Sequence, residues 1–440
     1  MKSDIHGFSK LHRNEKIKII KAFAKLEKKD VKTLKKESAL EFKTAEKMIE
    51  NVVSSYQFPY GIATNFRINR KDYLIPMVLE EPSVVAAASH AAKLCRPGGF
   101  TASSDEPIMI GQIQLTEMKN ISAAKRAVLR NKAEIKKMAN NRDSVLCKLG
   151  GGIKDVEARE IDTKKGKMLI VHIIVDVRDA MGANCINTMS EAITPFLEEK
   201  TGGKAVLRII SNLADRRLAR ASCTWKKSIL GDDVIDGIIS AYEFAKNDVY
   251  RCATNNKGIM NGIDAVAIAT GNDFRALEAG AHAYAAKSGK YQPLARYEKN
   301  KNGDLIGSIE LPIAVGLVGG ATRTHPLAQI SLKILGVKTA QELAQIMACV
   351  GLANNFAALR AMVKEGIQKG HMKLHAKNIA IIAGADKNYI DKVEERMVKD
   401  GNVSVGNAVK ILKELKWIER KKKIKRFEKR FKRKVKRKKK

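Results

Sequence analysis

A chain of 440 residues can hold two or three domains and bury a substantial core. Its 45% hydrophobic and 29% charged residues are the proportions of an ordinary globular protein, but 82 Lys+Arg against 47 Asp+Glu give a net charge of +35. Residues 420–440 carry 16 basic residues and one acid, Glu428, for a net +15, so the remaining body is still +20. Such a surface suits polyanionic small molecules, nucleic acid or anionic lipid, and charge alone does not choose among them. The cysteines at 95, 147, 185, 223, 252 and 349 form no C-x-x-C pair, which excludes a zinc knuckle and a redox dithiol and makes a reduced, cytoplasmic compartment the expectation. The N-terminus MKSDIHGFSK has no apolar leader core, and the best apolar run, MLIVHIIVDV, is too short and too polar to cross a bilayer, so a soluble protein is expected.

In chain order, residues 11–50 predict short, Lys-rich amphipathic helices. Tyr73–Leu79 reads as a strand, and Pro82 suits the first position of an Ala-rich helix that reaches Cys95. From about 106 to 210 the texture becomes strand, helix, strand, helix, strand. Ile108–Leu115, Leu169–Val177 and Ala205–Ile210 are the strands, with helices near 122–146 and 187–200. Pro195 falls inside the second helix and is expected to kink or shorten it. This pattern predicts a small α+β domain inserted into a larger one. Beyond it, Ala265–Thr270 reads as a strand and Asp273 as the cap of a helix running to Ser288. Thr339 and Glu342 make a capping box for a long helix that ends near Gly366, and another helical segment follows Gly370.

Residues 176–184, DVRDAMGAN, are the most informative stretch. An apolar β-branched run precedes them and a helix-like run follows, so they fill a strand-to-helix turn with Gly182 at the bend. Such a turn aims N–H groups and the positive end of a helix at an anion, typically a phosphate. No G-x-x-x-x-G-K-[ST], no G-x-G-x-x-G after a strand, no H-E-x-x-H and no G-x-S-x-G occurs. A second glycine-rich loop, GLVGGAT (316–322), reads by itself as a simple tight turn rather than a phosphate loop. His371 and His375 have the i, i+4 spacing of a metal pair, yet no Glu follows the first and no third ligand is nearby, so no metal is expected.

An ordered set of blocks then becomes specific: ENVVSSYQFPYGIATNF (50–66), EEPSVVAAAS (80–89), GGFTASS (98–104), DVRDAMGAN, SNLADRRLARA (211–221), NNKGIMNGIDAVAIATGND (255–273), GLVGGATRTHPLAQ (316–329) and GIQKGHMKLHAKNIA (366–380). Together they resemble the 3-hydroxy-3-methylglutaryl-coenzyme A reductases, class II, over roughly residues 40–385. The resemblance implies an α+β protein: a large mixed helical domain (1–105 and 211–365), an inserted small ferredoxin-like dinucleotide-binding domain (106–210), a C-terminal helical flap (366–416) and a polybasic tail (417–440). It also implies two-step hydride reduction of a coenzyme A thioester to mevalonate and coenzyme A, or the reverse. That chemistry needs a cation at the thioester carbonyl, a proton donor for the alkoxide and an acid for the departing thiolate.

By the same resemblance Lys257 is the catalytic lysine, Glu81 donates or relays the proton, Asp273 sets the charges of both, and His371 protonates the thiolate. Ser83, Arg251, Asn261 and His375 match positions near the glutaryl carboxylate or coenzyme A. Asp179, Gly182, Asn184 and Asn212 match the dinucleotide site. Asp143 falls where a relative places a carboxylate on the adenosine ribose, which predicts NADH over NADPH, although Arg142 and Lys148 lie close by. Where a relative uses an arginine toward coenzyme A, this chain has Lys10. A homodimer or larger assembly, with the active site at a subunit interface, is implied as well. The chain runs past the usual family end near residue 417. There Trp417, Ile424, Phe427, Phe431 and Val435 recur at helical spacing among Lys and Arg. A solvated tail, a basic amphipathic helix on anionic lipid, and a nucleic-acid contact are the three readings of 418–440. For the whole chain the competing readings are a reductase of another acyl-coenzyme A and a basic nucleic-acid-binding protein; 5% aromatic residues argue against the second.

Overall fold

Apolar residues that alternate along extended runs, or recur every third and fourth position, build the layers in turn. The computed structural model describes residues 1–37, 39–96, 98–364 and 376–438, with side chains through Lys425 in the last helix. Contacts divide it into one unit of Met1–Glu80 with Val84–Leu359, and another of Glu81–Ser83 with Arg360–Lys440.

In the first unit, helices α1 (Arg13–Ala24), α2 (Lys28–Lys35) and α3 (Phe42–Ala45) precede the hairpin β1 (Tyr60–Ile68) and β2 (Lys71–Val78). Helix α4 (Val84–Leu94) follows, two residues later than Pro82 suggests, because Ser83 sits at φ 80°, outside helical geometry. Strand β3 (Phe100–Ser104) then leads to β4 (Ile108–Thr116). The expected single helix near 122–146 is three: α5 (Ile121–Arg130), α6 (Lys132–Asn140) and α7 (Ser144–Lys148). Asn120 and Asp143 cap the first and last, their side-chain oxygens accepting from Ala123 N–H and Leu146 N–H at 2.9 Å each. Strands β5 (Gly152–Thr163) and β6 (Gly166–Asp176) form a long hairpin, then α8 (Ala183–Thr201) and β7 (Lys204–Ser211) complete this part.

The order β5-β6-β4-β7, all antiparallel, with the connectivity βαββαβ, is the ferredoxin-like arrangement. Its core of Ile113, Val128, Ile135, Val156, Val171, Ile173, Ile186 and Ile193 lies between sheet and helices. Strand β5 escaped the sequence reading because charged residues occupy much of its length and only Gly152, Ile153 and Val156 are buried. Pro195 does not shorten α8. Pro195 and Glu191, four residues before it, both lie on the exposed face, where water can meet a carbonyl left without an N–H donor.

The larger sheet has the order β2-β1-β3-β8-β10-β9, with β8 (Leu218–Trp225), β9 (Ala295–Lys299) and β10 (Leu305–Pro312). Between β8 and β9 come α9 (Lys227–Leu230), α10 (Asp232–Asn247), α11 (Val249–Ala269) and α12 (Phe274–Ala285); after β10 come α13 (Gly320–Thr324), α14 (Pro326–Leu335) and α15 (Ala340–Lys364). The expected strand Ala265–Thr270 is the last turn and a half of α11. Ala265, Val266, Ala267 and Ala269 are all buried, and a helix enclosed on every side carries no amphipathic stripe to read. Helix α15 is long and apolar enough to cross a membrane by length and composition, which MLIVHIIVDV is not; 67% of that window is buried within the protein, where Phe356 stacks on Trp225 with centroids 3.7 Å apart. Its start is half of the expected capping box: Thr339 Oγ1 accepts from Glu342 N–H, while Glu342 accepts from Lys338 rather than Thr339.

In the second unit α16 (376–382), α17 (Ile390–Lys399) and α18 (Val405–Lys438) enclose Ala376, Ala380, Val393, Met397, Ala408 and Ile411. Helix α18 passes through residue 417 without a break, so the basic tail continues a packed helix.

Candidate active site

The DVRDAMGAN turn lies between β6 and α8. Gly182 takes φ 115°, and a β-carbon there would stand 2.9 Å from Val177 Cγ1, so the bend requires glycine. Asn184 is in the first turn of the 19-residue α8, whose N–H groups and positive end point out of the bend. Asp143 lies near this helix start: burial first, and then the Asp143 charge, push the Cys185 thiol up to about 11. Arg178 anchors the turn from the other side, its backbone N–H donating to Asp176 Oδ1 at 3.0 Å and its guanidinium to the Gly150 carbonyl. Asn212 follows β7, and its carbonyl is the closest approach to Gly280 on α12, 2.6 Å from where a β-carbon would be.

Asp179 does a second job. Its Oδ1 accepts from Ala340 N–H at 2.7 Å and so caps α15, and its carbonyl accepts from Leu317 N–H at 2.8 Å. Gly316 packs so closely on this turn that a β-carbon would sit 2.6 Å from Met181 N. Beneath both lies Arg217, only 4% exposed, donating to the carbonyls of Ala180 at 3.1 Å, Met181 at 3.3 Å and Val315 at 2.6 Å. Burial lowers its pKa to about 10 against the pull of Asp179 and Asp176. Sequence reading left Arg217 without a role; its neighbours Asp215, Arg216 and Arg220 make it one charge among several, and only folding shows it buried.

Helix α11 carries three of the other candidates. Its N-cap Asp248 accepts from Arg251 N–H at 2.7 Å, and burial lowers the pKa of the half-buried Arg251 side chain. Lys257 and Asn261 are one turn apart on one face, the lysine exposed and the asparagine half-buried. Lys257 is thus a mid-helix residue, although Asn255, Asn256 and Gly258 surround it in sequence. After α11 the chain turns through Gly271 and Asn272 to Asp273, which caps α12 by accepting from Arg275 N–H at 3.0 Å and Ala276 N–H at 3.2 Å, and pairs with the Arg275 guanidinium at 3.0 Å. Asn272 Oδ1 accepts from Gly316 N–H at 2.8 Å, which ties this turn to the glycine loop and through it to DVRDAMGAN. Glu81 and Ser83 belong to the second unit, Ser83 with the left-handed φ of 80° that a residue with a β-carbon adopts only under constraint. His371 and His375 lie outside the described residues.

Three comparisons bear on this arrangement. The model of the hydroxymethylglutaryl-coenzyme A reductase family matches residues 12–376. A 3-hydroxy-3-methylglutaryl-coenzyme A reductase of Archaeoglobus fulgidus is 57% identical over 418 residues, covering 94% of this chain and 95% of that protein. A probable reductase of the same name from Borreliella burgdorferi is 36% identical over 379 residues, covering 84% of this chain and 86% of its own. Among solved structures, the class II reductase of Streptococcus pneumoniae bound to NADPH in open conformations superposes with a TM-score of 0.78 at 40% identity, covering 92% of this chain and all of that one. Motif order, the ferredoxin-like sheet beside the larger one and these likenesses agree: the chain belongs to the hydroxymethylglutaryl-coenzyme A reductase family, in its class II branch, and is an oxidoreductase with that family's activity.

Proposed function

We propose that Lys257 supplies the positive charge that polarises the thioester carbonyl in both reductions of 3-hydroxy-3-methylglutaryl-coenzyme A to mevalonate and coenzyme A. Negative charge builds on that oxygen as each hydride arrives, and a fixed ammonium lowers the barrier by meeting it. Glu81 gives or relays the proton to the alkoxide, Asp273 sets the charges of Lys257 and Glu81, and His371 protonates the leaving thiolate. Arg251 and Asn261 on the same helix, with Ser83 and His375, receive the glutaryl carboxylate and coenzyme A. The burial that depresses Arg251 makes a bound carboxylate a favourable partner for its guanidinium. One observation carries the reading: α11 presents Lys257 and Asn261 together, and the turn that ends it bears Asp273 and is bonded to the loop beside the phosphate-accepting helix start. Consumption of NADH and NADPH with this thioester, followed spectrophotometrically for the wild type and Lys257→Ala, tests it. Loss of turnover in the variant is expected, and a variant that turns over at the wild-type rate rejects the assignment.

NAD(P)H supplies the two hydrides when bound. Gly182 and Asn184 would receive its pyrophosphate at the start of α8, with Asp179 and Asn212 flanking it. Asp143, close to that helix start, would accept from the ribose 2′-hydroxyl and repel a 2′-phosphate, so NADH is the preferred cofactor. A kcat/KM favouring NADPH in the same assay rejects that choice.

The domain division expected from sequence is retained in this reading, with 106–210 as the dinucleotide domain and 366–416 as the flap that brings His371. The segment before β1 leaves Val53 91% and Tyr56 88% exposed, apolar surface suited to a second copy of the chain, so the working form is a homodimer or a multiple of it. The cytoplasm is the proposed compartment. For residues 418–440 the lipid reading is favoured over nucleic acid: Trp417 and Ile424 are 59% and 53% exposed two turns apart on α18, amid lysines. Deleting 418–440 is expected to abolish co-sedimentation with anionic liposomes, and unchanged binding rejects the proposal.

A further inference from the structure

Two carboxyl groups lie below Lys257. The spacing that puts Asn261 on the face of Lys257 also puts Asp264 there, seven residues along α11. Its Oδ1 is sealed from water, and among the described residues no N–H or hydroxyl reaches it. The group it meets is Glu278 of α12, another carboxyl. Two carboxyls in hydrogen-bond contact, one of them with an oxygen shut off from water, are not both ionised, so one proton lies between them.

Its location follows from what holds Glu278 on its other side. Glu278 Oε2 is 2.7 Å from His282 Nε2, and His282 Nδ1 is 2.7 Å from the Tyr291 hydroxyl. A neutral imidazole satisfies both contacts by donating to the carboxylate and accepting from the phenol. The charge of Lys257 also acts on Glu278, favouring its ionised form after the larger effect of the His282 bond. Asp264 has no such support, and burial followed by Glu278 raises its pKa to about 8. Glu278 is the anion and Asp264 the acid.

We propose that Asp264 and Glu278 form a proton-sharing pair that positions Lys257: protonated Asp264 donates to ionised Glu278, and the single negative charge of the pair holds the ammonium charged and aimed. A second negative charge there would compete with the oxyanion for the ammonium, and a neutral pair would withdraw a charge that helps to hold it. Asp264, Glu278 and His282 are thus positioning residues, acting on the reaction through Lys257. The proposal rests on the reading that Lys257 polarises the thioester.

Steady-state kinetics of the full-length enzyme with Lys257→Ala, Glu278→Gln, Asp264→Ala and Asp264→Asn test it. E278Q and D264A are expected to lower kcat about tenfold while KM for the thioester moves less than about twofold. D264N, whose amide N–H replaces the shared proton, restores most of what D264A loses. Infrared spectra at neutral pH are expected to show the carbonyl stretch of a buried protonated carboxyl that shifts in D2O and is missing in D264N. The pair is rejected if that band is absent from the wild type, or if D264N is as impaired as D264A. A dead K257A beside E278Q and D264A of wild-type kcat rejects the pair alone, whereas an active K257A removes the reading of Lys257 on which it stands.

Discussion

Arg217→Met is the perturbation whose size the structure fixes best. Methionine keeps most of the apolar stem and removes the fork, leaving the carbonyls of Ala180, Met181 and Val315 without their donor. Each hydrogen bond from a charged donor contributes about 1.5–3 kcal/mol. The three share one guanidinium and are not additive, and the wild type already bears the desolvation that lowers this arginine's pKa to about 10. Against that offset, Asp179 and Asp176 lose a buried counter-charge. The net expectation is a loss of about 3–5 kcal/mol, the usual range for breaking a buried charged contact. Two of the three carbonyls belong to DVRDAMGAN, so the damage is local to the turn proposed to hold the dinucleotide. Urea unfolding with and without NAD(P)H reads the stability, and steady-state kinetics read the site: KM for the dinucleotide is expected to rise more than KM for the thioester. Arg217→Lys recovers charge without the fork and is expected to fall between the two. An R217M protein within about 1 kcal/mol of wild type, with an unaltered dinucleotide KM, would refute the assignment.

Gly316→Ala places a β-carbon 2.6 Å from Met181 N and 3.1 Å from the Asp179 carbonyl, backbone that cannot yield without moving the turn. A cost of about 1–3 kcal/mol and a raised dinucleotide KM are expected, whereas Gly319→Ala, with φ 86° and nothing within 4 Å, bears only the backbone strain. The Asp264 proton makes stability depend on pH. Its folded pKa of about 8 lies above the ordinary 3.8, so its contribution is complete below about 4 and lost as pH rises through 8. Asp264→Asn does not titrate, so its unfolding free energy relative to wild type is expected to increase with pH across that window, by at most about 1.4 kcal/mol per pH unit; a difference independent of pH contradicts a native-state proton on Asp264.

Legibility followed the range of the interaction that decides each feature. Strands β4, β6 and β7 and helix α8 fall where Ile108–Leu115, Leu169–Val177, Ala205–Ile210 and 187–200 place them, because short apolar, β-branched runs bounded by polar or turn residues favour extended chain. Asp273 and Gly182 were legible as a cap and a bend because their partners lie within three residues or so. Residues 265–270 misled because a fully enclosed helix and a buried strand have the same composition. The break of 122–146 into three helices turns on Asn131 and Asp143, polar residues that the periodicity alone passes over. Arg217, Asn272 and the Asp264–Glu278 pair are visible only after folding, since each is defined by a partner on another element, in the cases of Arg217 and Asn272 by one more than thirty residues away.

The contacts of Asn272 say why the two halves of the site belong to one device. From the Asp179 carbonyl the path runs to Leu317 N–H, through Gly316, whose N–H donates to Asn272 Oδ1, to the cap residue Asp273. Gly271 is pressed to 2.8 Å, measured from the position of an added β-carbon, against the backbone of Ala321 and Thr322, so the same turn also meets the glycine loop at its far end. Turns joined by one backbone and one side-chain hydrogen bond and a close glycine contact do not shift independently by the ångström that misplaces a catalytic group. The DVRDAMGAN turn and the carboxylate proposed to set the charge on Lys257 therefore take their positions from one another. On the proposed reading, changes at Gly316 or Asn272 are expected to disturb the reaction by moving this turn.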